Sequence, residues 1–156
     1  MTTLEIGKPV ENFTAQATGD QTIELAQYHG KKNLVIYFYP KDNTPGCTTE
    51  GQDFRDHHDQ FDALDTVILG VSRDSLKTHE NFRAKHDFPF HLISDPDETV
   101  CKHFDVIKLK KLYGKEYLGI DRSTFLIDKN GILREAWRTV KVKGHVEEVL
   151  AAVKAL

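Results

Sequence analysis

Residues Asn33 to Pro40 read NLVIYFYP: a short run, rich in β-branched and aromatic side chains, and apolar on both alternations of a two-residue period. A strand of this kind has no face to give to water, so it is buried on both sides, as in a parallel sheet covered by helices. TVILGVSRDS, Thr66 to Ser75, repeats the type and ends in polar turn residues. RSTFLID, Arg122 to Asp128, followed by a Lys-Asn-Gly turn and LREAWR, reads as a hairpin.

Helical patterns separate these strands. Between Thr49 and Leu64, Phe54, Phe61 and Leu64 fall on one face. Ser75 to His86 carries Leu76 and Phe82 among charges, with Ser75 as the N-cap. Asp97 to Phe104 opens on acidic residues and places Val100 and Phe104 on one side. The tail HVEEVLAAVKAL is an amphipathic helix of good helix formers. Strands alternating with helices, plus an antiparallel pair, define an α/β chain with a central mixed sheet flanked by helices.

At 156 residues the chain is expected to form one domain spanning 1–156, with no repeat and no linker. A net charge of −3 gives no support to nucleic-acid or anionic-membrane binding. The start, MTTLEIGKPVENF, lacks a basic and then apolar leader, and the run Leu34 to Tyr39 is far too short to span a membrane. Two cysteines, Cys47 and Cys101, do not make a disulfide scaffold. These readings place the chain in the cytoplasm with its thiols reduced at rest. No exposed apolar stripe argues for assembly.

The first cysteine stands in YPKDNTPGCTTE, Tyr39 to Glu50, where the central strand hands over to a helix. Thr44 suits the N-cap and Pro45 the first helical position, which makes Cys47 the third residue of the first turn. Unpaired N–H groups and the positive end of the helix dipole there favour thiolate over thiol. The turn also lies at the carboxyl end of a sheet strand, where open α/β folds keep their sites. A small buried filler is the alternative for Cys47, and plain capping groups are the alternative for Thr44, Thr49 and Glu50.

P-x-x-x-T-x-x-C, here Pro40, Thr44 and Cys47, resembles the peroxidatic motif of the peroxiredoxins, and YFYPKDNTPGCTTE resembles their bacterioferritin-comigratory, or Q-type, subfamily. Further likeness lies in the FxA at Phe13, GVSRDS at Gly70 to Ser75, LISDPDE at Leu92 to Glu98 and RSTFLID at Arg122 to Asp128. The resemblance implies a thioredoxin-like fold with an N-terminal extension, and a thiol-dependent peroxidase acting on hydrogen peroxide and organic hydroperoxides. It implies that Cys47 attacks the peroxide and becomes a sulfenic acid, and that Thr44 holds thiolate and peroxide. Pro40 would shield the pocket, Arg122 would supply a fixed cation, and Glu50 would hold Arg122 by a bidentate pair. No cofactor and no metal are implied, and the resemblance implies a monomer, as members of this class often are.

A sulfenic acid must be resolved by another thiol. The subfamily's usual resolving positions fall at Gln52 and near Arg83 and Ala84, and none of these is a cysteine. Cys101, beside Val100 and Phe104, reads as a buried structural thiol, and bridging it to Cys47 requires Cα atoms within roughly 7 Å. A one-cysteine cycle is therefore expected, with thioredoxin, glutaredoxin or glutathione as external reductant.

Other signals carry less. His57 and His58 are adjacent and point about 100° apart on a helix, which does not suit one metal. His58 reads as part of the packed stripe with Phe54 and Phe61, and His57 as a solvated partner of Asp53. No C-x-x-C is present, and no histidine is singled out as a protease base. KLKKLYGK, Lys108 to Lys115, reads as a solvated basic loop, with a role at the pocket edge or against a reductant as the alternative. Trp137 reads as strand packing. A thioredoxin-fold binding or holdase protein with a redox-sensing thiol is the second functional class.

Overall fold

The structure is a computed structural model and describes residues 4–156. Its elements in chain order begin with strands β1 (Thr14–Ala17) and β2 (Gln21–Glu24), then β3 (Asn33–Phe38) and helices α1 (Pro45–Asp56) and α2 (His58–Ala63). Next come β4 (Thr66–Ser72), α3 (Leu76–Lys85), β5 (His91–Ser94) and α4 (Thr99–His103). The chain closes with β6 (Ile107–Leu112), β7 (Lys115–Ile120), β8 (Ser123–Ile127), β9 (Leu133–Trp137) and α5 (His145–Lys154).

Seven strands form one mixed sheet in the order β2-β1-β5-β4-β3-β8-β9. The apolar run identified from the sequence is β3, and all six of its residues are buried. It lies between β4, parallel, with Val35 opposite Ile68, and β8, antiparallel, with Val35 opposite Leu126. Its two alternations enter two different cores, as strand geometry requires. Leu34, Ile36 and Phe38 pack with Val100, Cys101, Phe104 and Phe125 on one face. Val35, Tyr37 and Tyr39 pack with Cys47, Phe54, Phe61, Phe82 and Val149 on the other. Side chains this size each gain about 1.5–3 kcal/mol from full burial, so the sheet is fastened from both sides. The N-terminal extension is the β1–β2 hairpin, which continues the sheet antiparallel to β5.

Several sequence expectations change in detail. Helix α1 starts at Pro45, as the Thr44 N-cap requires, but the helical pattern read through to Leu64 is broken at His57, whose Nδ1 lies 2.8 Å from the Asp53 carbonyl. His57 thus bonds the Asp53 backbone. His58 is only half-buried and lies 3.8 Å from the Asp59 carboxylate, so it stands at the edge of the stripe rather than in it. Ser75 does cap α3, its hydroxyl accepting from the Thr78 N–H at 3.2 Å.

KLKKLYGK is not a loop. It is most of β6 and the turn into β7, a separate two-stranded hairpin with Leu109 opposite Leu118 and Lys110 opposite Tyr117. Leu109, Leu112, Tyr113 and Leu118 stand exposed on it, an apolar surface that the sequence did not lead us to expect. Trp137 packs as expected, edge-on to His145, with its indole N–H donating to Glu148.

Candidate active site

Thr44 has the extended backbone of an N-cap, Pro45 opens α1, and Cys47 is therefore the third residue of its first turn. The Thr44 side chain does not cap the helix. Its hydroxyl donates to the Lys41 carbonyl at 2.8 Å, a bond within the loop before α1. The first-turn N–H groups consequently keep their field toward Cys47 without a capping side chain to absorb it. Thr49 donates back to the Pro45 carbonyl at 3.0 Å, a bond within the helix.

Register brings the distant partner in. β3 and β8 pair with Phe38 opposite Ser123, so Arg122 stands one step past the ladder, beside the point where β3 leads into the loop. Arg122 Nη2 donates to Cys47 Sγ at 3.3 Å, and Nη1 donates to Glu50 Oε1 at 2.6 Å. Gly46 makes room for this approach: a Cβ there would lie 3.2 Å from Nη2. Cys47 is only 2% exposed. Pro40 stands half-buried at the head of the loop, directly after Tyr39.

The Glu50–Arg122 contact is not bidentate. One carboxylate oxygen takes the guanidinium, and Oε2 is buried with no hydrogen-bond partner. Arg122 divides its fork between sulfur and carboxylate, so the parallel two-bond pairing with Glu50 is not made. Burial pushes the Glu50 carboxyl up to about 7, outweighing the pull of Arg122. Burial disfavours the Arg122 cation, yet Glu50 and then Cys47 more than restore it, and the guanidinium is held above its ordinary range. The site thus holds one fixed positive charge facing a sulfur and a carboxyl poised near neutrality.

Cys101 is elsewhere. It is fully buried in α4, and its backbone N–H donates to Asp95 Oδ2 at 2.8 Å. Burial, reinforced by Asp95, pushes its thiol well up. Gln52 and Arg83 are occupied as structural groups: Arg83 Nε donates to the Phe90 carbonyl at 2.9 Å, and Gln52 faces His86 Nδ1 at 3.5 Å. Lys110 of β6 reaches toward the site; burial makes its ammonium a stronger acid, and Arg122 and Arg73 add to this while Asp121 and Cys47 oppose it.

The sequence therefore located Cys47, Arg122 and Glu50, which the fold brings together, with Thr44 and Pro40 on the loop that leads to them. It missed Gly46 as a spacer and a buried network around Asp42, described below.

A thiol seated at a helix N-terminus beside a clamped arginine, on a thioredoxin-like mixed sheet, defines a class of enzyme. The AhpC/TSA family model matches residues 6–136, and the chain belongs to that family, the peroxiredoxin thiol peroxidases. It is 53% identical over 152 residues to peroxiredoxin Bcp of Bacillus subtilis, covering 97% of this chain and 96% of that one. It is 60% identical over 137 residues to peroxiredoxin Bcp of Xanthomonas campestris pv. campestris, covering 88% and 84%. A solved structure of the Xanthomonas campestris bacterioferritin comigratory protein, described for its alkyl peroxide reduction activity, superposes with a TM-score of 0.89 at 50% identity. It covers 99% of this chain and 98% of that one. Among the described residues no helix is long and apolar enough to cross a membrane.

Proposed function

We propose that Cys47 is the peroxidatic residue and reduces hydrogen peroxide and organic hydroperoxides in a one-cysteine cycle. The Cys47 thiolate attacks the terminal oxygen; an S–O bond forms as the O–O bond breaks. The departing oxygen leaves with the electron pair and takes up a proton as water or alcohol, and Cys47 is left as sulfenic acid. An external thiol then condenses with the sulfenic acid, releasing water, and a second thiol frees Cys47 from the mixed disulfide.

Arg122 stabilises the thiolate and the charge that moves onto the departing oxygen. Glu50 fixes the guanidinium in that position. Thr44, whose proton is already committed to Lys41, offers its oxygen to the peroxide O–H. Pro40 shields the pocket from water. The observation that carries this reading is the 3.3 Å contact of Arg122 Nη2 with a nearly buried Cys47 sulfur. The alkyl peroxide activity named for the Xanthomonas campestris relative supports the inclusion of organic hydroperoxides.

The whole span 1–156 acts as one domain, a cytoplasmic monomer recharged by thioredoxin, glutaredoxin or glutathione. The test is peroxide consumption with dithiothreitol by wild type and Cys47→Ser. Wild type is expected to turn over and the variant to be inert; activity that survives the substitution overturns the assignment.

A further inference from the structure

The loop from Pro40 to Thr44 sets where Cys47 sits, and among the described residues its side-chain ties to the rest of the fold run through Asp42. This carboxylate has no exposure at all. A buried carboxylate persists only when its oxygens are satisfied, and these are. Oδ1 accepts from the Tyr39 hydroxyl at 2.6 Å, and Oδ2 lies 2.5 Å from His79 Nδ1. The Asp42 backbone N–H donates to Asp74 Oδ2 at 2.9 Å, and the Ser72 hydroxyl donates to the same oxygen.

His79, fully buried on α3, has its other nitrogen 2.9 Å from the Ile93 carbonyl of β5. A carbonyl only accepts, so Nε2 donates to it, and Nδ1 is the nitrogen that faces Asp42. Asp42, Asp74 and His79 bring donor atoms within 4.8 Å of one another, a spacing that suits a metal. Each is already engaged, however, and a 2.5 Å contact leaves no room for an ion between His79 and Asp42. The cluster is a hydrogen-bonded clasp from α3 and β5 to the loop ahead of Cys47. Tyr39 extends it into the core, stacking on Tyr37, which stacks on Phe54 of α1.

We propose that His79 is a positioning residue for Cys47. Through Asp42 it holds the loop and the first turn of α1 in the arrangement that reacts with peroxide, and its release lets a bulky thiol reach the sulfur. The inference rests on the function proposed above. Cys47 is a residue only 2% exposed, so a thiol carried on a peptide or protein meets its sulfur only if this loop moves. The clasp is where that movement is resisted. Its strength therefore sets the two half-reactions against each other.

The signature is opposed effects in which labelling outruns global unfolding as read by urea titration, because a merely destabilised fold exposes the thiol only as often as it unfolds. In the full chain, His79→Asn and Asp42→Asn are expected to slow oxidation of Cys47 by hydrogen peroxide at least tenfold, read by rapid quench and mass spectrometry. The same variants are expected to speed labelling of reduced Cys47 by fluorescein maleimide several-fold. Tyr39→Phe removes one hydroxyl only and should show the same pattern at roughly two- to fivefold, which keeps the test alive if the other two do not fold. Unchanged rates, or two rates that fall together, overturn the proposal. If wild type ignores peroxide while maleimide access still rises in the variants, the proposed function fails and the clasp stands.

Discussion

Cys47 and Cys101, the chain's two thiols, lie in hydrophobic clusters on opposite faces of the same sheet. Each is buried, and β3 with its neighbours stands between them. Disulfide geometry needs Cα atoms within roughly 7 Å, which this arrangement denies. One equivalent of peroxide followed by dimedone should thus give a single adduct on Cys47 by intact mass. A loss of two protons with no adduct would show a bridge and contradict it. Cys101→Ser should leave peroxide turnover within a few-fold.

Arg122→Ala removes the only cation in hydrogen-bond contact with the sulfur among the described residues. By comparison with the loss of a single preorganised donor elsewhere, peroxide oxidation should slow by about 10²–10³. Arg122→Lys keeps a charge but cannot serve Cys47 and Glu50 with one planar fork, so its rate should fall between the two. Stopped-flow rates indistinguishable from wild type would remove Arg122 from the reaction.

The raised Glu50 carboxyl has a stability consequence. With a folded value of about 7 against an ordinary 4.5, the folded chain keeps a proton that the unfolded chain has already released. The contribution is complete below pH 4.5 and is lost as pH rises through about 7, amounting to roughly 3 kcal/mol at ~1.4 kcal/mol per pH unit. Urea titrations of wild type and Glu50→Gln should agree at low pH and diverge by that order above neutrality, wild type being the weaker. A constant difference across the window is the contrary result.

His145 acts with the opposite sign. Burial lowers its imidazole to about 4, with Glu148 opposing and Arg122 assisting, while Thr124 lies 2.8 Å from its Nε2. The unfolded chain takes up a proton below about 6.5 that the folded chain refuses, so this stability is present above that pH and is lost as pH falls through 4. His145→Asn should therefore lose less stability on acidification than wild type does. Equal acid slopes in the two denaturation series would refute it. In wild type the Glu50 and His145 contributions oppose each other over most of the same range.

Gly51 has no room for a methyl group. A Cβ there would lie 2.4 Å from Phe88 Cζ, and that ring is itself stacked on Phe90 and set edge-on to Phe82. Gly51→Ala should cost about 1–3 kcal/mol by overpacking, read from the urea midpoint. An alanine variant as stable as wild type would show that the aromatic cluster yields.

What was legible in the sequence was whatever burial writes into a local pattern. β3 declared itself through two apolar alternations, and Cys47 through the Thr-Pro-Gly turn that fixes its place in α1. The β6–β7 hairpin stayed hidden because it projects from the main sheet and exposes lysines and leucines together, so no burial period marks it. β1 and β2 are four residues each, too short for an alternation to declare itself. The Asp42–His79 clasp draws on β4, α3, β5 and the loop before α1, which only the finished topology brings into contact. The single-oxygen Glu50 contact was equally out of reach, since it depends on how one guanidinium divides itself between two neighbours.

The sheet between the two thiols also decides what this protein measures. With no second thiol on its own side among the described residues, an oxidised Cys47 in the proposed one-cysteine cycle waits for a reductant to arrive by diffusion, and its lifetime is set by the supply outside the chain. A further peroxide competes for the same sulfur during that wait and carries it to the irreversible sulfinic acid. On that cycle, inactivation should track the ratio of peroxide to available thiol rather than the dose of peroxide, as in a comparator of two pools.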